Sequence, residues 1–201
     1  MSDTVTVDNK PIVLGSGTFY VMEFTGAIPE DSVIEVESNI LGLVQGGASV
    51  EYKPTYYTAK DDFGKKQKTI ITDEEALMKS GICTFNGNTL AKISSTARVT
   101  TNGNKRIVKI GGVGNDNGKK YLIRFHHEDK VDGDIRVTIV GRNEAGFSLA
   151  FAKDKETVVD AEFKAAPHDA EGTLILYEEE IKDEAAAAAA NTKGGEAANA
   201  N

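Results

Sequence analysis

Residues 133–180 read GDIRVTIVGRNEAGFSLAFAKDKETVVDAEFKAAPHDAEGTLILYEEE. In Asp134–Val140, Ile135, Val137 and Ile139 point one way and Arg136 and Thr138 the other. In Phe147–Lys153, Phe147, Leu149 and Phe151 share a face opposite Ser148, Ala150 and Ala152. In Val159–Ala165, Val159, Ala161 and Phe163 turn inward while Asp160, Glu162 and Lys164 turn outward. A period of two marks strands, because successive side chains leave opposite faces of an extended chain. Gly141–Gly146 forms the first loop, and Pro167 and Gly172 bracket the one before the last strand. Thr173, Leu174, Ile175, Leu176 and Tyr177 are mostly apolar on both sides, so that strand needs cover on both. It is either a central strand of a sandwich or a strand with one face covered by another copy of the chain.

The same reading extends upstream. Pro11–Leu14, Gly17–Phe24, Val33–Ser38, Ser49–Tyr52, Leu90–Ser95, Ala97–Thr101, Lys105–Ile110 and Tyr121–Phe125 read as strands, with a hairpin at Asn102-Gly103 and turns at Gln45-Gly46-Gly47 and Asp132-Gly133. Pro54 has no N–H for a ladder, so its strand ends, bends or lies at an edge. Residues 53–68 fit neither period and read as an extended loop, either a plain exposed hairpin end or a contact surface. Its paired tyrosines suit contact, since they offer large amphipathic area at little entropic loss.

One helix is expected, at Asp73–Ser80, with Thr72 as N-cap, Glu75 as its capping-box partner and Gly81 after its end. Eight residues make a helix about 12 Å long, too short to persist without packing Ala76 and Leu77 on a sheet. Residues 1–10 read as a flexible polar arm, 11–181 as one β domain, and 182–201 as an alanine-rich, low-complexity tail without the apolar content to order.

Two blocks carry a resemblance. AGFSLAFAKDKETVVDAEFKAAPHDAEGTLILYEEE, residues 145–180, resembles the C-terminal part of the major tail proteins that build the tail tube of long-tailed bacteriophages. Residues 28–90, from IPEDSVIEVESNILGLVQGG to FNGNTL, resemble the N-terminal half of the same proteins, so the likeness spans about Val5 to Glu180. It implies a two-sheet β-sandwich or flattened barrel with one short flanking helix, and a structural role. Copies would join in six-membered rings that stack into a conduit for DNA ejection.

It also implies that the loop touches neighbouring subunits through Tyr52, Tyr56, Tyr57, Lys60, Asp61, Asp62, Phe63, Lys65 and Lys66, with Thr173, Ile175 and Tyr177 on an inter-subunit strand. Implied partners are the chain itself and the tail terminator, tape measure and distal tail proteins. The implied location is the virion tail, assembled in the bacterial host cytoplasm. The tube of a contractile or secretion-like injection machine is an alternative, as is a β-sandwich ligand-binding module.

Assembly also follows from the strands themselves. Open sheet edges must be paired, covered or charged, and a closed head-to-tail ring pairs them.

Charge points the same way. The chain of 201 residues carries a net charge of −8, and its 20 glycines and lack of tryptophan suit a turn-rich β protein. Residues 178–201 hold six acids and two lysines, so half the net charge lies there. A protein that grips DNA needs a cationic surface that displaces counterions. DNA is expected to pass through a neutral-to-negative lumen without specific binding. Cys83 has no partner for an internal disulfide and reads as a small buried group. No basic-then-apolar leader pattern and no run of membrane-spanning length stands out.

Candidates for chemistry are weak. Gly111–Lys120 is glycine-rich, but a strand rather than a helix follows, and the Walker spacing is missing. His126 and His127 are adjacent on a strand and point apart, which opposes joint ligation. With Glu128, Asp129, Asp132 and Asp134 they read as a solvated turn, and His168 stands alone in a loop. The acids lack calcium-loop spacing, and neither a nucleophilic triad nor paired carboxylates stand out. No catalytic residue, cofactor or metal is expected.

Overall fold

The structure, a computed structural model, describes residues 15–151, 153–154 and 156–181. The arm 1–10, the strand expected at Pro11–Leu14 and the tail 182–201 lie outside the described residues. The fold is mainly β, with two sheets and little helix. The elements are β1 (Thr18–Glu23), α1 (Asp31–Ile34), β2 (Ile40–Gly42), β3 (Val44–Lys60), β4 (Gln67–Ile82) and α2 (Gly87–Lys92). They continue with β5 (Arg98–Asn102), β6 (Lys105–Lys109), β7 (Tyr121–His127), β8 (Ile135–Asn143), β9 (Val159–Ala165) and β10 (Ile175–Glu179).

The larger sheet runs β2-β1-β7-β8-β9-β4-β3, with β10 also beside β8, and every pairing is antiparallel. Its two ends, β2 and β3, are separated in the chain by Leu43 alone. The sheet must therefore curl until its ends meet, which makes it a flattened barrel. Leu43 clasps the seam: its N–H donates to Thr84 Oγ1 at 2.7 Å and its carbonyl accepts from Cys83 N–H at 2.9 Å. A Cβ at Gly42 would collide there with the Thr84 carbonyl oxygen.

The concave face carries the core: Phe19, Val21, Ile123, Ile139, Phe163, Ala161, Val159, Met78 and Ile82, with Leu41 and Ile93 closing it. These are the alternating inward residues of six strands plus one from the end of α2, as the period-two pattern requires. β8 changes partner midway. Ile135–Ile139 pairs with β10 and Gly141–Asn143 with β9. At the switch, any Cβ on Gly141 would strike the Lys164 carbonyl.

Several expectations are corrected. Asp73–Ser80 is not a helix but lies inside β4, paired to β3 on one side and, from Leu77, to β9 on the other. Thr72 is no cap: it is the extra residue of a bulge between the pairs Thr55–Asp73 and Tyr56–Ile71. Local helix propensity is worth tenths of a kcal/mol per residue, and two flanking ladders override it.

The flanking helix is α2, in the region read as the strand Leu90–Ser95. Asn86 caps it, its side chain accepting from Asn88 N–H and Thr89 N–H while Thr89 Oγ1 accepts from Asn86 N–H. Val33–Ser38 is not a strand either, but spans α1, a bend and the start of a short 3-10 turn. Residues 147–151 are irregular rather than extended in a ladder, with Phe151 largely exposed. Gln45-Gly46-Gly47 is a bulge within β3, with both glycines at positive φ, and not a turn between strands. Pro54 sits on an edge strand, where its missing N–H is harmless.

β10 is not a central strand. Among the described residues it pairs with β8 alone, and it is half-buried to exposed. Cys83 is half-buried, its Sγ 3.2 Å from the Leu43 carbonyl. Among the described residues no helix is long and apolar enough to cross a membrane.

Candidate functional site

Residues 53–68 are not a loop. β3 and β4 form one long antiparallel hairpin whose turn occupies only residues 61–66. β9 flanks β4 as far as Leu77–Lys164 and no farther. Beyond that point the two strands run on with no further strand paired beside them among the described residues. From Tyr52 to Lys60 this free arm is roughly 27 Å long, at about 3.4 Å per residue. A two-stranded ribbon alone is marginal in water. This one carries much exposed apolar surface.

Cross-strand partners share a face, so the register sorts the residues. On β3 the concave face continues from Val44, Ala48 and Val50 to Tyr52, Pro54, Tyr56 and Thr58. On β4 it runs from Ile82, Met78 and Ala76 to Glu74, then across the bulge to Ile71 and Thr69. The face that packs the core inside the barrel thus extends outside it, and beyond the groove at its base none of the described residues covers it. Tyr56 is 60% exposed and its partner Ile71 is 50% exposed. Thr58 and Thr69 hydroxyls are 2.9 Å apart beyond them.

The opposite face differs. Near the barrel it is charged and paired: Lys79 lies 3.0 Å from Glu162 and 3.6 Å from Glu51, and Lys164 lies 2.9 Å from Glu75. Farther out it carries the pair Tyr57–Ile70, also exposed.

The turn holds the remaining expected contact residues. Lys60 ends β3, and Asp61 closes the turn by accepting from Lys66 N–H at 2.6 Å. Phe63 is 84% exposed, with Lys65 Nζ 5.9 Å from its ring centroid. Asp62, Lys65 and Lys66 are all exposed.

At the base of the arm, Tyr52 and Glu74 meet Thr173 and Ile175 in an open groove of about 410 Å³. The Tyr52 hydroxyl donates to the Glu74 carboxylate, which holds the phenol above its ordinary pKa. The structure thus unites Tyr52, Thr173 and Ile175 and sets Tyr56, Tyr57 and Phe63 apart on the arm. Tyr177 lies on β10 opposite Val137, 55% exposed, its hydroxyl 3.1 Å from Glu179. Among the described residues the outer edge of β10 pairs with no other strand. Ile70 and Ile71 were missed by sequence reading. Their signal was the register itself, hidden once residues 73–80 read as helical.

A second cluster lies on the convex face, where α1 crosses β7, β8 and β10. Arg124 is 1% exposed. It donates to Asp31, to Glu35 at 3.3 Å, to Glu178 at 3.2 Å and to Thr138 Oγ1 at 2.8 Å. Arg136 bonds Glu35 at 2.7 Å and Asp134 at 3.4 Å. His126 Nε2 is 3.1 Å from Asp134, and its Nδ1 lies 3.3 Å from Glu35 but out of line for a hydrogen bond. The two histidines do point apart, but neither belongs to a solvated turn. Both are buried, and His127 Nδ1 reaches the Ser16 carbonyl at 2.8 Å. His168 also has a buried side chain. No trio of His, Cys, Asp or Glu is placed to hold a metal among the described residues.

This cluster fastens the helical turn and the last strand to the sheet. The Arg124 hydrogen bond holds the Asp31 carboxyl below its ordinary pKa. For Asp134, burial pushes upward but the Asp129 N–H, His126 and Arg136 outweigh it, so its pKa also lies low. A depressed folded-state pKa contributes stability above the unfolded value, about 3.9 for Asp, which is lost as pH falls through the folded value. The melting temperature should therefore drop below about pH 4, and amides of α1 and β10 should lose hydrogen-exchange protection first. A melting temperature level from about pH 6 to about pH 2 would contradict this.

The chain matches no known family model and no curated protein.

Proposed function

We propose that this chain is a structural subunit that assembles with copies of itself into stacked rings, forming a tube such as the tail tube of a long-tailed bacteriophage. The observation that carries the reading is the β3–β4 arm, which carries Tyr56 and Ile71, on the face continuous with the core, out of the barrel and leaves them exposed among the described residues. Exposed two-stranded ribbons with apolar faces are association sites or aggregation hazards. A closed ring turns the hazard into a contact. The unpaired edge of β10 offers a second, backbone-mediated contact of the strand-addition kind.

The sequence resemblance supplies the identity of the tube, its hexameric symmetry and its place in a virion. It also supplies the partners: tail terminator, tape measure and distal tail proteins. On this reading DNA passes through a neutral-to-negative lumen, since basic residues lining it would hold phosphates by counterion release. Negative-stain microscopy of concentrated protein should show rings or tubes. Tube diameter, and whether a sheath is needed, separates the tail tube from a contractile injection machine. A protein that stays monomeric up to millimolar concentration would overturn the proposal.

A further inference from the structure

From Ala76 to Asn115 the chain holds six cations (Lys79, Lys92, Arg98, Lys105, Arg106 and Lys109) and no acid. Against a total of −8, that +6 leaves −14 on the rest of the chain. Four of the six lie on the β5–β6 hairpin, which forms its own two-stranded sheet. Its register places Val99, Val108, Thr101 and Arg106 on one face. That face packs on α2, where a Cβ at Gly87 would lie 2.7 Å from Val108 Cγ2 and 2.8 Å from Arg106 Cδ.

The other face carries Arg98 opposite Lys109, Thr100 opposite Ile107, and Asn102 opposite Lys105. All six residues are exposed. Among the described residues no carboxylate lies within ion-pair distance of Arg98, Lys105 or Lys109. Like charges directly opposite destabilise a ribbon, and a bare two-stranded sheet has little stability to spare. A face of this kind is relieved by an anionic partner.

We propose that this outward face, Arg98, Lys105 and Lys109 around Ile107, docks on the acidic turn between β7 and β8 of a second copy. The inference rests on the assembly reading above. That turn carries Glu128, Asp129 and Asp132 against a single cation, Lys130, around Val131, which is 78% exposed. Glu179 and Glu180 lie beside it, for Glu180 N–H donates to the Asp134 carbonyl at 2.9 Å. Each surface sets an exposed aliphatic side chain among charges, and the net signs are opposite. A nucleic acid fits less well: the remaining −14 repels a polyanion, and the hairpin offers no aromatic ring for a base to stack on. Docking between copies also keeps the basic face out of a lumen that conducts DNA.

The test uses two charge-reversed full-length proteins, Lys105→Glu/Lys109→Glu and Glu128→Lys/Asp132→Lys, followed by sedimentation and microscopy. Each alone should need about tenfold more protein to assemble, or more, and a mixture of the two should assemble again. The first variant should melt no lower than wild type, because Lys109→Glu faces Arg98 and replaces a repulsion with an attraction. A merely structural hairpin would lose stability together with assembly. If both variants assemble at wild-type concentration, or the mixture fails to recover, this docking is wrong while the tube reading stands. If wild type never associates, both fall. If wild type shifts duplex DNA in a gel and the lysine variant loses only that, the face binds nucleic acid instead.

Discussion

Replacing Arg124 with alanine is expected to destabilise the folded chain by about 3 kcal/mol, the low end of the cost of removing one partner from a buried ion pair, because Asp31 and Glu178 are each about half exposed and screened by solvent. The guanidinium is fully enclosed and bonds Asp31, Glu35, Glu178 and Thr138. Without it, the largely buried Glu35 keeps Arg136, while Asp31 and Glu178, each about half exposed, crowd beside it with less compensation. A domain of this size has about 5–15 kcal/mol in all, so the variant should sit near its unfolding threshold at room temperature. Urea unfolding followed by circular dichroism measures the loss. Adding Asp31→Asn and Glu178→Gln should recover part of it, since the crowding is what costs most. A loss below about 1 kcal/mol would mean that solvent already screens the cluster.

The second large effect separates folding from association. Tyr56→Ser with Ile71→Ser strips the continuation of the core face, and Tyr57→Ser with Ile70→Ser strips the reverse side of the arm. All four side chains are exposed in the single chain, so either double variant should melt within about 1 kcal/mol of wild type, at up to about 0.5 kcal/mol per surface site. Assembly should respond very differently. Interface anchors contribute about 2 kcal/mol or more each, so losing two should raise the assembly concentration roughly a thousandfold. The Tyr56–Ile71 variant should be the more severe, because its face is continuous with the groove at Tyr52 and Ile175. Rings forming normally from both variants would remove the arm from the interface.

The arm also shows where sequence reading stops. A strand announces itself by alternation only when one face is buried and the other wet. Tyr56, Tyr57, Ile70 and Ile71 are exposed on both faces, so the outer ribbon has no such alternation, and residues 53–68 read as loop. The false helix at Asp73–Ser80 has the complementary cause. Its acids, alanine and apparent cap satisfy every local helix rule, while the ladders to β3 and β9 that override them join residues far apart in the chain. The Asn86–Thr89 capping box of α2 appears only in the structure, since Asn-x-x-Thr lacks the usual capping-box signature and so short a helix shows too little periodicity to compete with a strand reading. Arg124 gave no warning either, because an arginine on a strand reads as an outward-facing charge until α1 is known to fold over it.

The sequence by itself determined the mainly β class, the strands β1 and β5 to β10 within a few residues, and the inward set Ile123, Ile139, Val159, Ala161 and Phe163. Each rests on alternation or turn chemistry within a dozen residues, where steric rules alone choose. Tertiary structure alone decided that the sheet closes at Leu43, that β10 is an edge, that the hairpin projects and that Arg124 is buried. These depend on which distant segments pair, and pairing energies across tens of residues leave no periodic trace in either segment.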